Sequence, residues 1–350
     1  MDLRGFIDRL LTDGRLRRVT ELTDWRFEVG QIIREERTPL LFENIKDYPG
    51  QRLFSNGLVD SSSIGIALGL HPGMPGNAIR TARKRALTPI APLIVRSGAV
   101  LDNVVDGEAI DFLKFPIPHW HREDVARYLG TWHLNITKDP ENGSRNLGVY
   151  RMQVLGPRRA TVSTSPRSHL ALHLAKAERE GRPLEMAVAI GVGEALIMAA
   201  SASCPFGTDE YGLAGALQSE AVRLIQCKTI SQEVPGDSEI VIEGLIQPGV
   251  RVQDGPYFDY AGKPSTNRNA FLFEATRVMF RNNPIFRGTS IGNPGAEDHQ
   301  LFAFLADLNL VDFHGSQPKQ WVQNQFLKMR MFKPFQFAGR GGSLIRRRTN

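Results

Sequence analysis

From Phe112 to about Asp298 the chain is a succession of short, β-branched apolar runs broken by turn residues. This texture limits the fold more than any other feature. Runs such as Trp132-His-Leu-Asn-Ile136, Tyr150-Arg-Met-Gln-Val-Leu155, Met186-Ala-Val-Ala-Ile190 and Glu239-Ile-Val-Ile-Glu243 have the length and composition of strands in a barrel or sandwich. Two helices interrupt them, His169 to Glu180 and Leu213 to Leu224. Upstream, helical spacing over Leu3 to Leu16 stops at Gly14, and Phe27 to Arg37 forms a second helix. A buried strand at Pro39-Leu-Leu-Phe-Glu-Asn-Ile45 follows, then helices over Ser61 to Leu70 and Ala78 to Arg85 on either side of the turn His71-Pro-Gly-Met-Pro-Gly76. A chain of 350 residues is long for one core. The expected organisation is an α/β domain over 1–111, a strand-rich domain over 112–298, and a helical tail over 299–350.

Bulk properties exclude several classes. With 41% hydrophobic and 23% charged residues the composition is that of an ordinary soluble protein. The longest apolar stretch, Met186 to Ala200, holds Glu194 and two glycines and falls short of a membrane span. The first residues, Met1-Asp-Leu-Arg-Gly-Phe-Ile-Asp8, lack a secretion pattern. Cys204 and Cys227 are too few for a disulfide framework, so a cytoplasmic location is expected. The net charge of +6 is scattered apart from Arg80-Thr-Ala-Arg-Lys-Arg85, Arg158-Arg159 and Arg346-Arg-Arg348. None of these runs interleaves with aromatics, so nucleic acid is not an expected partner.

Four polar islands set in apolar or Gly/Pro-rich sequence carry the chemistry: Asn146-Leu-Gly-Val-Tyr-Arg151, Ser168-His169, Glu210 within Gly207-Thr-Asp-Glu-Tyr-Gly212, and Asp254-Gly-Pro-Tyr-Phe-Asp259. Charge next to an apolar core is costly unless paired or ligating. Strand alternation puts Arg151 on the face of Leu147 and Val149, where a guanidinium needs an anionic partner. A substrate carboxylate and a structural salt bridge answer that need equally. Alone, Asn146 reads as a turn residue, His169 as an ordinary helix histidine, and Glu210 as an acid complementing a helix dipole. Together they offer an amide oxygen, an imidazole and a carboxylate, a mix suited to Mn²⁺ or Mg²⁺ rather than structural zinc. Asp254 and Asp259 flank Gly-Pro-Tyr-Phe, either an acidic turn or two acids around one point, one kept protonated by the other. His119-Trp-His121 lacks a third ligand and reads as a loop, and Gly191-Val-Gly193 does not complete a dinucleotide fingerprint.

These residues resemble the UbiD family of decarboxylases, which use prenylated FMN. The likeness runs from Leu3 to roughly His299. It includes Leu40-Leu-Phe-Glu-Asn-Ile45, Phe115-Pro-Ile-Pro118, Ile136-Thr-Lys-Asp-Pro140, Asn146-Leu-Gly-Val-Tyr-Arg-Met-Gln-Val154, Ser238-Glu-Ile-Val-Ile-Glu-Gly244 and Asp254-Gly-Pro-Tyr257. The resemblance implies a mixed α/β fold in which an amino-terminal α/β domain precedes a split β-barrel that binds the flavin. It implies Asn146, His169 and Glu210 as ligands of Mn²⁺ (or Mg²⁺), with a nearby K⁺, at the cofactor phosphate. Thr131, Gly148, Val149, Tyr150, Arg151, Ser168, Ser203 and Cys204 match cofactor-lining positions. Arg151, Asp254 and Asp259 match the family's Glu-Arg-Glu network, with Asp259 as proton donor. The implied activity is non-oxidative, reversible decarboxylation of an α,β-unsaturated or aromatic acid, with a flavin prenyltransferase supplying the cofactor. Asp254 stands where glutamate is usual, and Ser168 where arginine is more common. Family members continue through a carboxy-terminal α/β domain that the sequence after Leu310 does not match. A divergent short form, a truncated one, or a subunit of a homo-oligomer or larger assembly is therefore expected. The other readings are a non-catalytic, flavin-binding accessory subunit and a split-barrel flavin reductase.

Overall fold

Seven of the short strands pair into one antiparallel half-barrel sheet. In sheet order they are Arg159–Val162, Pro264–Phe280, Ile240–Phe258, Leu184–Ile190, His133–Lys138 and Arg145–Gly148, with Asn103–Asp106 added along Pro264–Phe280. The computed structural model describes residues 1–70, 75–308 and 310. Most of the expected turn at 71–76, and the tail from 311 with its basic run Arg346–Arg348, lie outside the described residues.

The uninterrupted apolar run Met186–Ile190, within the strand Leu184–Ile190, has a simple cause: both faces of this strand are covered. Leu184, Met186, Val188 and Ile190 pack with Ile240, Ile242 and Phe273 on one side. Ala187 and Ala189 pack with Leu134, Ile136 and Leu147 on the other. Each aliphatic side chain fully withdrawn from water stabilises the fold by about 1.5–3 kcal/mol. The second face is closed by Glu194–Ala200 and Glu210–Gln218, and the first partly by His169–Arg179.

A smaller four-stranded sheet forms from Arg17–Val19, Leu40–Phe42, Arg52–Ser55 and Ile285–Arg287. Its last strand comes from far down the chain, and Asn103–Asp106 joins the large sheet, so pairings run across the expected boundary at 111. Contacts group residues 1–312 into one unit. A buried ion cluster ties these parts together. Arg287, 1% exposed, donates from Nε to Glu194 at 2.9 Å and from Nη1 and Nη2 to Glu297 at 2.9 and 2.6 Å. Glu194 also accepts from the Trp132 indole at 2.9 Å, and Glu297 from the backbone N–H of Asn56 and Leu58.

Several elements differ from expectation for identifiable reasons. Glu239–Glu243 is only the start of a strand of 19 residues, paired in a hairpin with one of 17. The glycines and prolines that appear to end it are absorbed as register shifts at Ile246/Arg251, Val252/Asp254 and Asp254/Tyr257. Gly255 has φ +94° and sits so near the partner strand that a Cβ would lie 2.5 Å from the Ser265 carbonyl oxygen. The helix expected at Leu213–Leu224 is Glu210–Gln218, followed by a separate strand, Arg223–Gln226, in a three-stranded sheet with Leu93–Ile94 and Glu233–Pro235. The predicted strand Tyr150–Leu155 shrinks to Met152–Gln153, which leaves Arg151 in the break after Gly148 rather than within a strand. Among the described residues no helix is long and apolar enough to cross a membrane.

Candidate active site

Two helix starts and one strand build the first half of the site. Ser168 caps His169–Arg179 by accepting the Ala171 N–H at 3.1 Å, and Asp209 caps Glu210–Gln218 through Tyr211 N–H at 3.0 Å. His169 and Glu210 are therefore the first residues of their helices, with their side chains beside the strand Arg145–Gly148. Asn146 Oδ1 lies 3.0 Å from His169 Nδ1, which is 4.0 Å from Glu210 Oε1. Glu210 Oε2 accepts the Leu147 N–H at 2.9 Å, so the carboxylate is braced against the strand.

Electrostatics here favour an incoming cation. Burial pushes the Glu210 carboxyl up to about 7, with the Leu147 N–H bond acting the other way. Burial lowers His169, which favours the neutral imidazole. Among the described residues no lysine or arginine pairs with Glu210, and the buried Asn146 Nδ2 has no hydrogen-bond partner. An amide oxygen, a neutral imidazole and a buried carboxylate without a cationic partner fit a hard divalent ion. No three His, Cys, Asp or Glu side chains cluster among the described residues, because the third donor here is an amide. Phe206 stands edge-on to His169 with ring centres 5.2 Å apart.

The stretch after Asn146 is shaped by packing. A Cβ at Gly148 would fall 2.4 Å from the Tyr150 ring, so glycine is what lets that ring fold back beneath the strand. Tyr150 N–H donates to Asn135 Oδ1 at 2.9 Å. Val149 is half-buried against the core. Thr131 is buried, and its hydroxyl accepts the Thr289 N–H at 3.0 Å. Ser203 is exposed and Cys204 half-buried, in the loop before Asp209. Burial, aided by the Glu210 charge, pushes the Cys204 thiol up to about 11, so it is not a thiolate ligand.

Arg151 forms the second half. Its Nε donates to Asp254 Oδ1 at 2.6 Å, its Nη2 lies 2.5 Å from the same oxygen, and its Nη1 donates to Ser265 Oγ at 2.6 Å. Asp254 is fully buried, and its other oxygen accepts the Thr161 hydroxyl at 2.6 Å. Burial raises the Asp254 carboxyl, while the adjacent guanidinium pulls it back down. The Tyr257 ring lies under the guanidinium, 4.9 Å away.

Asp259 is elsewhere. It lies beyond the strand end in the hairpin turn, with its carboxylate accepting the Ala261 N–H at 2.9 Å. Among the described residues no hydrogen bond or ion pair joins it to Arg151 or Asp254. Asp254 is held in the ladder opposite Asn267, five residues before Asp259.

Asp124 escaped the sequence reading. It sits in His121-Arg-Glu-Asp124, whose composition is that of a surface loop, yet it is 5% exposed. Its carboxyl is pushed up to about 7 by burial, against two backbone N–H donors and the Arg151 charge. His119 and His121 are loop residues as expected: their Nε2 atoms meet the Asp124 and Ile291 carbonyls at 2.8 and 3.1 Å.

Comparison with known proteins decides the family. The model of the 3-octaprenyl-4-hydroxybenzoate carboxy-lyase Rift-related domain matches residues 93–294, and that of the N-terminal domain of the same enzymes matches 7–82. The chain belongs to the UbiD family. It is 32% identical over 333 residues to pyrrole-2-carboxylic acid decarboxylase of Pseudomonas aeruginosa, covering 89% of this chain and 66% of that relative. It resembles the UbiD-class enzyme HmfF of Pelotomaculum thermopropionicum in complex with FMN, with a TM-score of 0.81, 31% identity, and 88% and 68% coverage of the two chains. Vanillic acid decarboxylase of Sedimentibacter hydroxybenzoicus in its closed form is similar, with a TM-score of 0.83, 27% identity, and 87% and 67% coverage. The UbiD-family chain described here thus spans about two thirds of the length of these relatives.

Proposed function

We propose that this chain is a UbiD-type decarboxylase of unsaturated or aromatic carboxylic acids, acting reversibly with prenylated FMN, Mn²⁺ and K⁺. The observation that carries the reading is the guanidinium of Arg151 fixed on the buried Asp254, on the same short stretch as Asn146, which meets His169 and lies with Glu210 in one donor set. Asn146, His169 and Glu210 hold the divalent ion, and the stretch Gly148–Arg151 with Thr131, Ser168, Ser203 and Cys204 lines the cofactor. Prenylated FMN, when bound, would supply the electron sink for the pair left on carbon when CO₂ departs, which amino-acid side chains lack. Arg151, 15% exposed and with one Nη1 hydrogen bond, to Ser265, among the described residues, orients the substrate carboxylate. Asp254 keeps that guanidinium aimed, and Asp259 delivers the proton that replaces CO₂. A cytoplasmic homo-oligomer is the proposed working form.

The test is to co-express the full chain with a flavin prenyltransferase, supply Mn²⁺, and offer a panel of unsaturated, aromatic and heteroaromatic acids. The expected result is CO₂ release, or deuterium exchange at the carbon that loses CO₂, with at least one of them. Neither signal with any acid, from protein whose visible absorbance reports bound cofactor, overturns the reading. A second reading, an accessory flavin-binding subunit, is favoured by Asp254, one methylene shorter than the glutamate usual at that position of the resemblance. It predicts bound cofactor without turnover until a partner subunit is added.

A further inference from the structure

We propose that Asp124 is a positioning residue for Asp259: its buried carboxylate anchors the backbone just before that acid and thereby sets where the acid is held. The proposal rests on the decarboxylase reading above, in which Asp259 is the proton donor.

The strand bearing Asp254 ends with the pairs Tyr257 opposite Ser265 and Phe258 opposite Pro264. The Phe258 N–H donates out of the ladder, to Asp124 Oδ1 at 2.7 Å. A second bond, from Val125 N–H to the Pro256 carbonyl at 2.9 Å, straps the same loop to the same strand end. The other Asp124 oxygen accepts the His121 N–H at 3.1 Å, and the His121 ring stacks on Phe258 at 4.2 Å. His121 is in turn fixed by Ile291 and Ser290. The hydrogen bonds on Asp259 itself lie within its turn, to the Ala261 and Gly262 N–H groups and the Lys263 carbonyl, while Gly292 packs against its carbonyl and, one residue on, the Tyr260 carbonyl meets His299 Nε2 at 2.8 Å. From the strand side the placement of its carboxylate is inherited from Phe258, one residue back, and Phe258 is held by Asp124. An acid 5% exposed is an expensive way to hold a loop. The location beside both Arg151 and the Asp259 turn gives the expense a function.

Hydrogen–deuterium exchange of the full chain, read on peptides spanning 256–263, tests the anchor for wild type, Asp124→Ala and Asp124→Asn. The same three proteins, loaded with cofactor by co-expression, are assayed for kcat and KM on an acid the wild type turns over. Asp124→Ala is expected to exchange faster in 256–263 and to lose about 10- to 100-fold in kcat. Its KM is expected to stay near the wild-type value, since the substrate's grip is on Arg151. Asp124→Asn retains an acceptor for the Phe258 N–H and is expected to recover most of both losses. If the alanine variant does not fold, Asp124→Ser, too short to reach that N–H, carries the same expectation. Wild-type exchange or wild-type kcat in a folded variant lacking the acceptor overturns the proposal, as does an asparagine variant no better than alanine. A wild type inactive on every acid, with the exchange difference intact, overturns the decarboxylase reading and leaves the anchor standing.

Discussion

Replacing Arg151 with methionine leaves the fully buried Asp254 carboxylate with the Thr161 hydroxyl as its remaining side-chain partner. Removing one member of a buried ion pair costs about 3–5 kcal/mol, because the other charge is stranded. Two features reduce the figure here. Thr161 still donates, and Asp254 escapes the penalty by taking up a proton, so the expected loss near neutral pH is about 2–4 kcal/mol. The pH dependence follows. Burial already raises the folded-state carboxyl above its ordinary value, with Arg151 opposing. Without the guanidinium it rises further. A folded value above the unfolded one means that the folded protein binds more protons across the interval, so stability falls as pH rises through it. That interval is wider in the variant. The deficit relative to wild type is therefore small below the unfolded value of about 3.9 and reaches full size above the variant's folded value. Urea denaturation followed by tryptophan fluorescence at several pH values between 5 and 8 measures it, and Arg151→Met/Asp254→Leu should regain much of the loss. A deficit independent of pH, or a double variant as unstable as the sum of its singles, would refute the reasoning.

Asp259→Asn is expected to leave the thermal midpoint unchanged, because the side chain serves only its own turn, while slowing turnover by roughly 10²–10⁴-fold. Wild-type rates would remove Asp259 from the proposed role. Asn146→Ala and Glu210→Gln should each weaken Mn²⁺ binding by at least the roughly 10- to 100-fold that loss of an outer-sphere partner costs, read from the electron paramagnetic resonance signal of free Mn²⁺. Arg287→Met should cost about 3–5 kcal/mol in chemical denaturation, since it strands Glu194 and Glu297 together in the core.

The fold was legible where local chemistry and tertiary packing agree. Leu3–Thr12, Glu28–Glu35 and His169–Arg179 lie within or nearly match their periodic segments, and Leu184–Ile190 reads as a strand because β-branched, apolar residues suit a doubly covered position. It was illegible where packing overrides punctuation. Pro248-Gly249 and Gly255-Pro256 look like chain reversals, yet the neighbouring strand supplies enough pairing to carry the hairpin through them as bulges. Glu194 was noted as a charge interrupting an apolar run. Its partners Arg287 and Trp132 are 93 and 62 residues away, and no local pattern announces such a cluster.

The same division runs through the site and separates the two acids. Asp254 was readable as a charged group in an apolar setting, and its partner Arg151 by the same rule, because a buried charge requires a counter-charge somewhere. Asp124 carries no such mark, since its neighbours His121, Arg122 and Glu123 are polar and its burial comes from a strand end more than 130 residues away. The geometry also argues for unequal duties in the proposed reaction. A carboxylate bound through one oxygen to Arg151 and through the other to Thr161 is committed to holding the guanidinium. An acid on a turn, with one oxygen on Ala261 and the other free of hydrogen bonds among the described residues, has no such commitment. The shorter aspartate at 254 fits the first duty, because the strand brings its backbone near enough to the guanidinium for contacts of 2.5–2.6 Å. At 259 a turn, rather than side-chain length, has to supply the reach.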